Sequence, residues 1–230
     1  MEYWQHFLPP PQAGEAEPAI RTDHTLAAMP DGSRLALPLR DLGTFAVAGL
    51  IVNQASFTVL DRLSGWLAEL ARGVAPEVVV GLPTLGHMVG LGVARALGHA
   101  NWVAPGTSRK FWYAESLSVP LASITSPGAG RRMWLDPRLL PRLRGRRVLL
   151  VDDVISTGAS LCAGLALLAA AGVVPVAVGL AMAQGDRWRA ALPAGLALSA
   201  VFATPLLARV PGGWRERPET CARDCCPLLA

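Results

Sequence analysis

The stretch Val148-Leu149-Leu150-Val151-Asp152-Asp153-Val154-Ile155-Ser156-Thr157-Gly158-Ala159-Ser160 fixes the fold class. Val148–Val151 are four apolar residues that make a buried strand. Two adjacent carboxylates follow at its carboxyl end, the edge at which open α/β sheets bind ligands. The loop Ser156–Ser160 then runs into a helix. Gly158 permits tight curvature, successive N–H groups at the helix start form an anion cradle, and Thr157 and Ser160 add hydroxyls. Carboxylates touching a phosphate would repel it, so a hydroxyl-bearing group has to lie between them. A sugar phosphate meets that condition, with its phosphate in the loop and its hydroxyls on Asp152 and Asp153.

Working outward, apolar residues Val59, Leu60, Leu63, Trp66, Leu67 and Leu70 mark one face of a helix over 57–71. The run 77–81, EVVVG, reads as a buried strand, followed by the turn LPTLGH and a helix over 87–97. A second strand is expected at 101–104. Segments 121–125 and 131–135 flank a Ser-Pro-Gly-Ala turn and predict a hairpin. Asp136-Pro137 is an N-cap followed by an N1 proline. Further strands are expected at 147–151, 174–180 and 199–203, with a helix over 158–171. This β-α-β alternation gives an α/β fold, a parallel sheet with helices on both faces. Residues 1–32 read as an irregular N-terminal arm, 33–210 as a single domain with short strands or a hairpin over 33–55, and 211–230 as a loose C-terminal tail.

The chain has 230 residues, 52% hydrophobic and 17% charged, ample for a core. No residue from Ala159 to Gln184 is charged, but Gly172 and Pro175 divide the run into a buried helix and a buried strand rather than a membrane span. The four cysteines, 162, 221, 225 and 226, are not spaced as a disulfide framework, and the opening residues MEYWQHFLPPPQ show no basic stretch followed by an apolar core, so no secretory signal is expected. Both point to the cytoplasm. Between Arg109 and Arg147 nine basic residues face two acids, a local charge of +7 in a chain of +4. Such a field suits phosphate, pyrophosphate or nucleic acid. Lys110 is the only lysine.

The 148–160 run resembles the signature of the type I phosphoribosyltransferases and matches that pattern throughout. The resemblance extends from about 78 to 203 and implies the type I fold, with a small hood (33–56 and 183–198) and a flexible β-hairpin loop (109–136). It implies transfer of ribose 5-phosphate from phosphoribosyl pyrophosphate to a nitrogenous base with release of pyrophosphate. Mg²⁺ would be held through the substrate, with no secure protein ligand. Asp152 and Asp153 would hold the ribose, and Ser156, Thr157, Gly158, Ala159 and Ser160 the 5-phosphate. Leu82, Pro83, Thr84, Leu85 and Gly86 look like the pyrophosphate loop, and Arg109-Lys110 like the basic pair that grips pyrophosphate. Asn53, in LIVNQ, is similar to a hood residue that meets the base in the xanthine branch. The layout is closest to the xanthine and adenine enzymes and to purine-repressor-like relatives, so a purine acceptor and a homodimer are expected.

The competing readings are weaker. A P-loop ATPase needs Gly-Lys before Ser or Thr, and Lys110 follows Arg109. A non-catalytic relative that senses phosphoribosyl pyrophosphate and binds nucleic acid is kept open by the seven arginines of 131–147, but no helix-turn-helix is visible. Glu115 reads as a solvated loop acid, Trp188 as a packed side chain, His87 as a helix-start residue and Cys162 as core. Cys221, Cys225 and Cys226 have poor spacing for zinc.

Overall fold

The computed structural model describes residues 2–15, 17–121 and 131–229. Eleven strands and four α-helices follow one another among these residues. Three strands come first, β1 (His24–Ala28), β2 (Arg34–Asp41) and β3 (Phe45–Ala48). Then come α1 (Phe57–Ala71), β4 (Val78–Gly81), α2 (Gly86–Ala96), β5 (Ser118–Pro120), β6 (Arg132–Trp134) and α3 (Leu140–Leu143). The chain closes with β7 (Val148–Ile155), α4 (Ala159–Ala170), β8 (Ala177–Gln184), β9 (Leu198–Thr204), β10 (Leu206–Val210) and β11 (Gly213–Arg217).

The central sheet is parallel, in the order β4-β7-β8-β9. β4 and β8 are buried along their whole length, as a parallel strand covered on both faces requires. Side chains alternate between two cores. Val79, Leu149 and Val151 pack with Leu63 and Leu67 of α1 and Val89 and Val93 of α2. Val78, Val80 and Leu150 pack with Leu161, Leu167 and Leu168 of α4. Each fully buried Leu contributes roughly 1.5–3 kcal/mol relative to exposure. Helices therefore cover both faces, as the sequence predicts. α1 starts where Ser56 Oγ accepts from the Val59 N–H at 3.2 Å, an N-cap at the head of its apolar stripe. The uncharged run 159–184 forms α4 and β8. No helix among the described residues is long and apolar enough to cross a membrane.

Several elements differ from the sequence expectation. β7 does not stop at Val151. It continues through both aspartates to Ile155, because β8 goes on pairing with it, Asp152 opposite Leu180 and Val154 opposite Met182. The strand expected at 101–104 reduces to one parallel bridge between Val103 and Val80, since Pro105 has no N–H and Gly106 turns to pair with Trp134. The hairpin starts earlier than expected, with Ser118 opposite Trp134 and Pro120 opposite Arg132. Its Ser126–Ala129 turn lies outside the described residues.

The largest departure is a second, antiparallel sheet in the order β1-β2-β3-β10-β11. The hood was expected from 33–56 and 183–198, whereas this sheet is built from 24–48 and 206–217. The irregular arm therefore contains β1, and Trp4 before it is buried with Nε1 donating to the Gly49 carbonyl at 3.0 Å. The tail expected after 210 contains β11 and a buried end, with Thr220, Ala222, Cys225 and Cys226 packed inside. Gln184 at the end of β8 ties the two sheets together, donating to the Ala48 carbonyl at 2.6 Å.

Candidate active site at the carboxyl edge of the parallel sheet

β4 and β7 are hydrogen-bonded neighbours running the same way, so the loops that follow them leave from one edge. After β7, residues 156–158 make a short turn and α4 begins at Ala159, capped by Gly158 in the left-handed region at φ 85°. The N–H groups of Ser156, Thr157, Gly158, Ala159, Ser160 and Leu161 have no acceptor among the described residues. Six consecutive amides thus stand unpaired, three in the turn and three at the start of a helix whose dipole favours an anion. They line a cavity of about 110 Å³ together with Asp152, room for several water-sized groups.

After β4, the Leu82 N–H donates to the Val151 carbonyl at 2.8 Å, which locks this loop to β7. The Pro83–Thr84 peptide is cis. The N–H groups of Thr84, Leu85, Gly86 and His87 have no acceptor among the described residues either. The two loops meet at Gly86. A Cβ there would collide with Asp152 Oδ1 and lie 2.9 Å from Asp152 Cα, so only glycine lets the backbone approach this closely. The structure thereby brings Leu82–Gly86, Asp152, Asp153 and Ser156–Ser160 together.

Asp152 is buried and Asp153 half-buried, and neither forms an ion pair among the described residues. Asp152 Oδ1 accepts from the N–H of Asp153 at 3.0 Å. Burial pushes the Asp152 carboxyl well above the ordinary carboxylate range, and the neighbouring Asp153 charge adds to the effect. Burial also raises Asp153. Two desolvated acids side by side resist ionising together. Hydroxyl donors or a cation arriving in the cleft would favour their charged forms.

Arg109 and Lys110 leave the same edge, since Val103 runs parallel to Val80. Both are exposed. Arg109 lies 3.5 Å from Glu115 and 5.3 Å from the Trp134 ring, so it belongs to the foot of the hairpin and not to the aspartates. Glu115 also lies 3.8 Å from Arg132, a solvated pairing. Asn53 sits exposed on a 3₁₀ turn whose Gln54 carbonyl accepts from Gln5. His87 Nε2 lies 2.8 Å from the Pro105 carbonyl, and burial lowers its pKa. A carbonyl only accepts, so the proton sits on Nε2 and is already used. Trp188 is buried, with Nε1 donating to the Gly185 carbonyl at 2.9 Å, a packed role as expected. Cys162, expected in the core, is instead half-exposed, its thiol donating to the Ala191 carbonyl at 3.2 Å. Cys225 and Cys226 are buried with sulfurs 3.9 Å apart. No group of three potential metal ligands occurs among the described residues. Arg187, inside the 183–198 segment expected in the hood and given no individual role there, touches the anion loop, its Nη2 donating to Ser156 Oγ at 3.3 Å.

Residues 50–191 match the family described as phosphoribosyl transferase domain. The chain belongs to that family. Among similar phosphoribosyltransferases, the adenine phosphoribosyltransferase of Nocardia farcinica is 33% identical over 114 residues, 46% of this chain and 52% of that protein. The match thus spans about half of that relative's length. The adenine phosphoribosyltransferase of Mycobacteroides abscessus is 29% identical over 151 residues, 63% of this chain and 77% of the relative. Among solved structures, the adenine phosphoribosyltransferase of Thermoanaerobacter pseudethanolicus superposes with a TM-score of 0.52 at 20% identity, covering 64% of this chain and 81% of the other. That of Leishmania tarentolae gives 0.51 at 18% identity, covering 79% and 84%. These structures carry the fold: a type I phosphoribosyltransferase sheet flanked by helices.

Proposed function

We propose that this protein transfers ribose 5-phosphate from phosphoribosyl pyrophosphate to a purine base, adenine first, and releases pyrophosphate. The observation that carries the reading is the pair of unpaired amide rows, Thr84–His87 and Ser156–Leu161, on either side of Asp152 at one sheet edge. Two anion cradles flanking carboxylates suit a ligand with a phosphate at each end and hydroxyls between. Adenine is put ahead of xanthine because both curated relatives above are adenine phosphoribosyltransferases.

In this reading the bond between ribose C1 and pyrophosphate breaks, a ring nitrogen of the base bonds to C1, and pyrophosphate leaves with the electron pair. Positive charge builds on the ribose and negative charge on pyrophosphate. The amides of Thr84–His87 take up the second, with Arg109 and Lys110 at the foot of the hairpin adding positive charge. Asp152 and Asp153 accept from the ribose hydroxyls and favour the cationic ring. Asp152 and Asp153 offer the oxygen donors Mg²⁺ prefers, and in this reading the ion is held mainly by substrate oxygens and water. When bound, that ion would offset pyrophosphate charge.

Five of the seven arginines of 131–147, the segment that kept the nucleic-acid-binding alternative open, are engaged within the protein. Arg132 is spent on Ser118, Arg138 on Asp136, Arg144 on the Ala171 carbonyl, and Arg146 and Arg147 on Glu77. The test is pyrophosphate release from phosphoribosyl pyrophosphate with adenine, xanthine, guanine, hypoxanthine, orotate and uracil in parallel. Turnover is expected with adenine, and none in the Asp152→Asn/Asp153→Asn double variant. Activity retained in that variant refutes the assigned roles.

A further inference from the structure

The anion loop has a charge problem. Residues 156–160 carry no charge, while Asp152 lines the same cavity and Asp153 adjoins it. A phosphate dianion seated there gains from the free amides and the α4 dipole, but the loop itself holds no cation and an acidic pair stands close by. Arg187 stands at the rim. Among the described residues it is the lysine or arginine whose side chain hydrogen-bonds to residues 156–160, through Nη2 to Ser156 Oγ at 3.3 Å. It forms no ion pair with any described carboxylate, so its charge is uncommitted.

Its position is held by three contacts. Its guanidinium lies 4.7 Å from the centre of the Phe45 ring, a cation–π contact with β3 of the second sheet. It opens the 3₁₀ turn Arg187–Ala191, which packs directly on the loop: a Cβ on Gly158 would lie 3.3 Å from Ala191 Cβ and 3.5 Å from Trp188 Cβ. Trp188 anchors the turn through Gly185. The exposed side chain thus reaches the first residue of the cradle from a turn anchored by the buried Trp188. Resting on the phosphoribosyl reading above, we propose that Arg187 is a ligand of the sugar's terminal phosphate and supplies the positive charge the loop lacks. One N–H holds Ser156 and the others remain for phosphate oxygens, for which a guanidinium is suited geometrically.

The experiment measures binding of ribose 5-phosphate and of inorganic pyrophosphate to the full chain by calorimetry, in wild type, Arg187→Gln and Arg187→Lys. Loss of a charged hydrogen bond predicts a roughly ten- to hundredfold weaker ribose 5-phosphate affinity in Arg187→Gln. Pyrophosphate affinity, which depends on the other cradle, should stay at the wild-type value and serves as the check on folding. Arg187→Lys should recover much of the loss. Unchanged ribose 5-phosphate affinity in Arg187→Gln overturns this inference and leaves the phosphoribosyl reading standing. So does an equal loss of both ligands. Wild type that binds neither ribose 5-phosphate nor pyrophosphate overturns both.

Discussion

Replacing Gly86 by alanine tests the contact on which the site is built. The added methyl would collide with Asp152 Oδ1, sit 2.9 Å from Asp152 Cα and 3.3 Å from its Cγ. These obstacles belong to a central strand and a buried carboxylate, so the start of α2 has to move. Overpacking of this kind costs about 1–3 kcal/mol. Because Gly86 and Asp152 both belong to the proposed site, a displacement of a few tenths of an ångström separates the amide row Thr84–His87 from the carboxylates. A misplacement of ~1 Å costs about a hundredfold in rate. Gly86→Ala should therefore lower the urea midpoint and reduce pyrophosphate release far more than the stability loss accounts for at temperatures where the variant is fully folded. The control is Gly65→Ala, in the exposed interior of α1 with nothing within 4 Å of the new Cβ. It should gain about 0.5–1 kcal/mol and leave the rate alone. Wild-type turnover and an unshifted midpoint in Gly86→Ala would refute the close approach and the site drawn from it.

Asp152→Asn should abolish turnover yet raise the denaturation midpoint at neutral pH. The folded-state pKa of Asp152 is raised by burial, so ionised Asp152 opposes folding. A group shifted upward contributes its stability below its unfolded pKa and loses it as pH rises through the folded pKa. The advantage of the variant over wild type should thus shrink on acidification, and a gap that is flat between neutral and acid pH would contradict the assignment. Trp188→Phe removes one hydrogen bond to Gly185, worth about 1 kcal/mol, and should lower stability without changing the KM for base. A raised KM for base with unchanged stability would instead make Trp188 a stacking residue. Removing Mg²⁺ with a chelator should stop turnover while leaving the urea midpoint unchanged, because the ion is assigned to substrate oxygens; a lowered midpoint would argue for a resident ion.

The parallel core was legible because its signals are local. Ser56 and a stripe at helical spacing delimit α1. Strand, acids, loop and helix start are contiguous over 148–160, so that run places the free amides of the loop beside the aspartates with no help from distant residues. What escaped was decided by partners far away in sequence. Two aspartates read as the end of a strand, yet β8 continues beside them and carries β7 to Ile155. HTLAA of β1 and GWRER of β11 have little strand character of their own and are strands because β2 and β10 pair with them. Arg187 carries no motif. It matters only because folding brings it to Phe45 and Ser156, both remote along the chain.

The antiparallel sheet has a consequence for the order in which the molecule is made. β3 pairs with β10, Ala46 opposite Leu207, so one layer needs both early and late parts of the chain. Closing so long a loop is an entropic cost met before any contact rewards it. During synthesis the parallel core from β4 to β9 can collapse first, while the free edge of β3 waits for a partner. An open strand edge invites pairing with other chains. A chain ending before residue 206 would therefore carry the parallel core beside an adhesive, half-built second sheet.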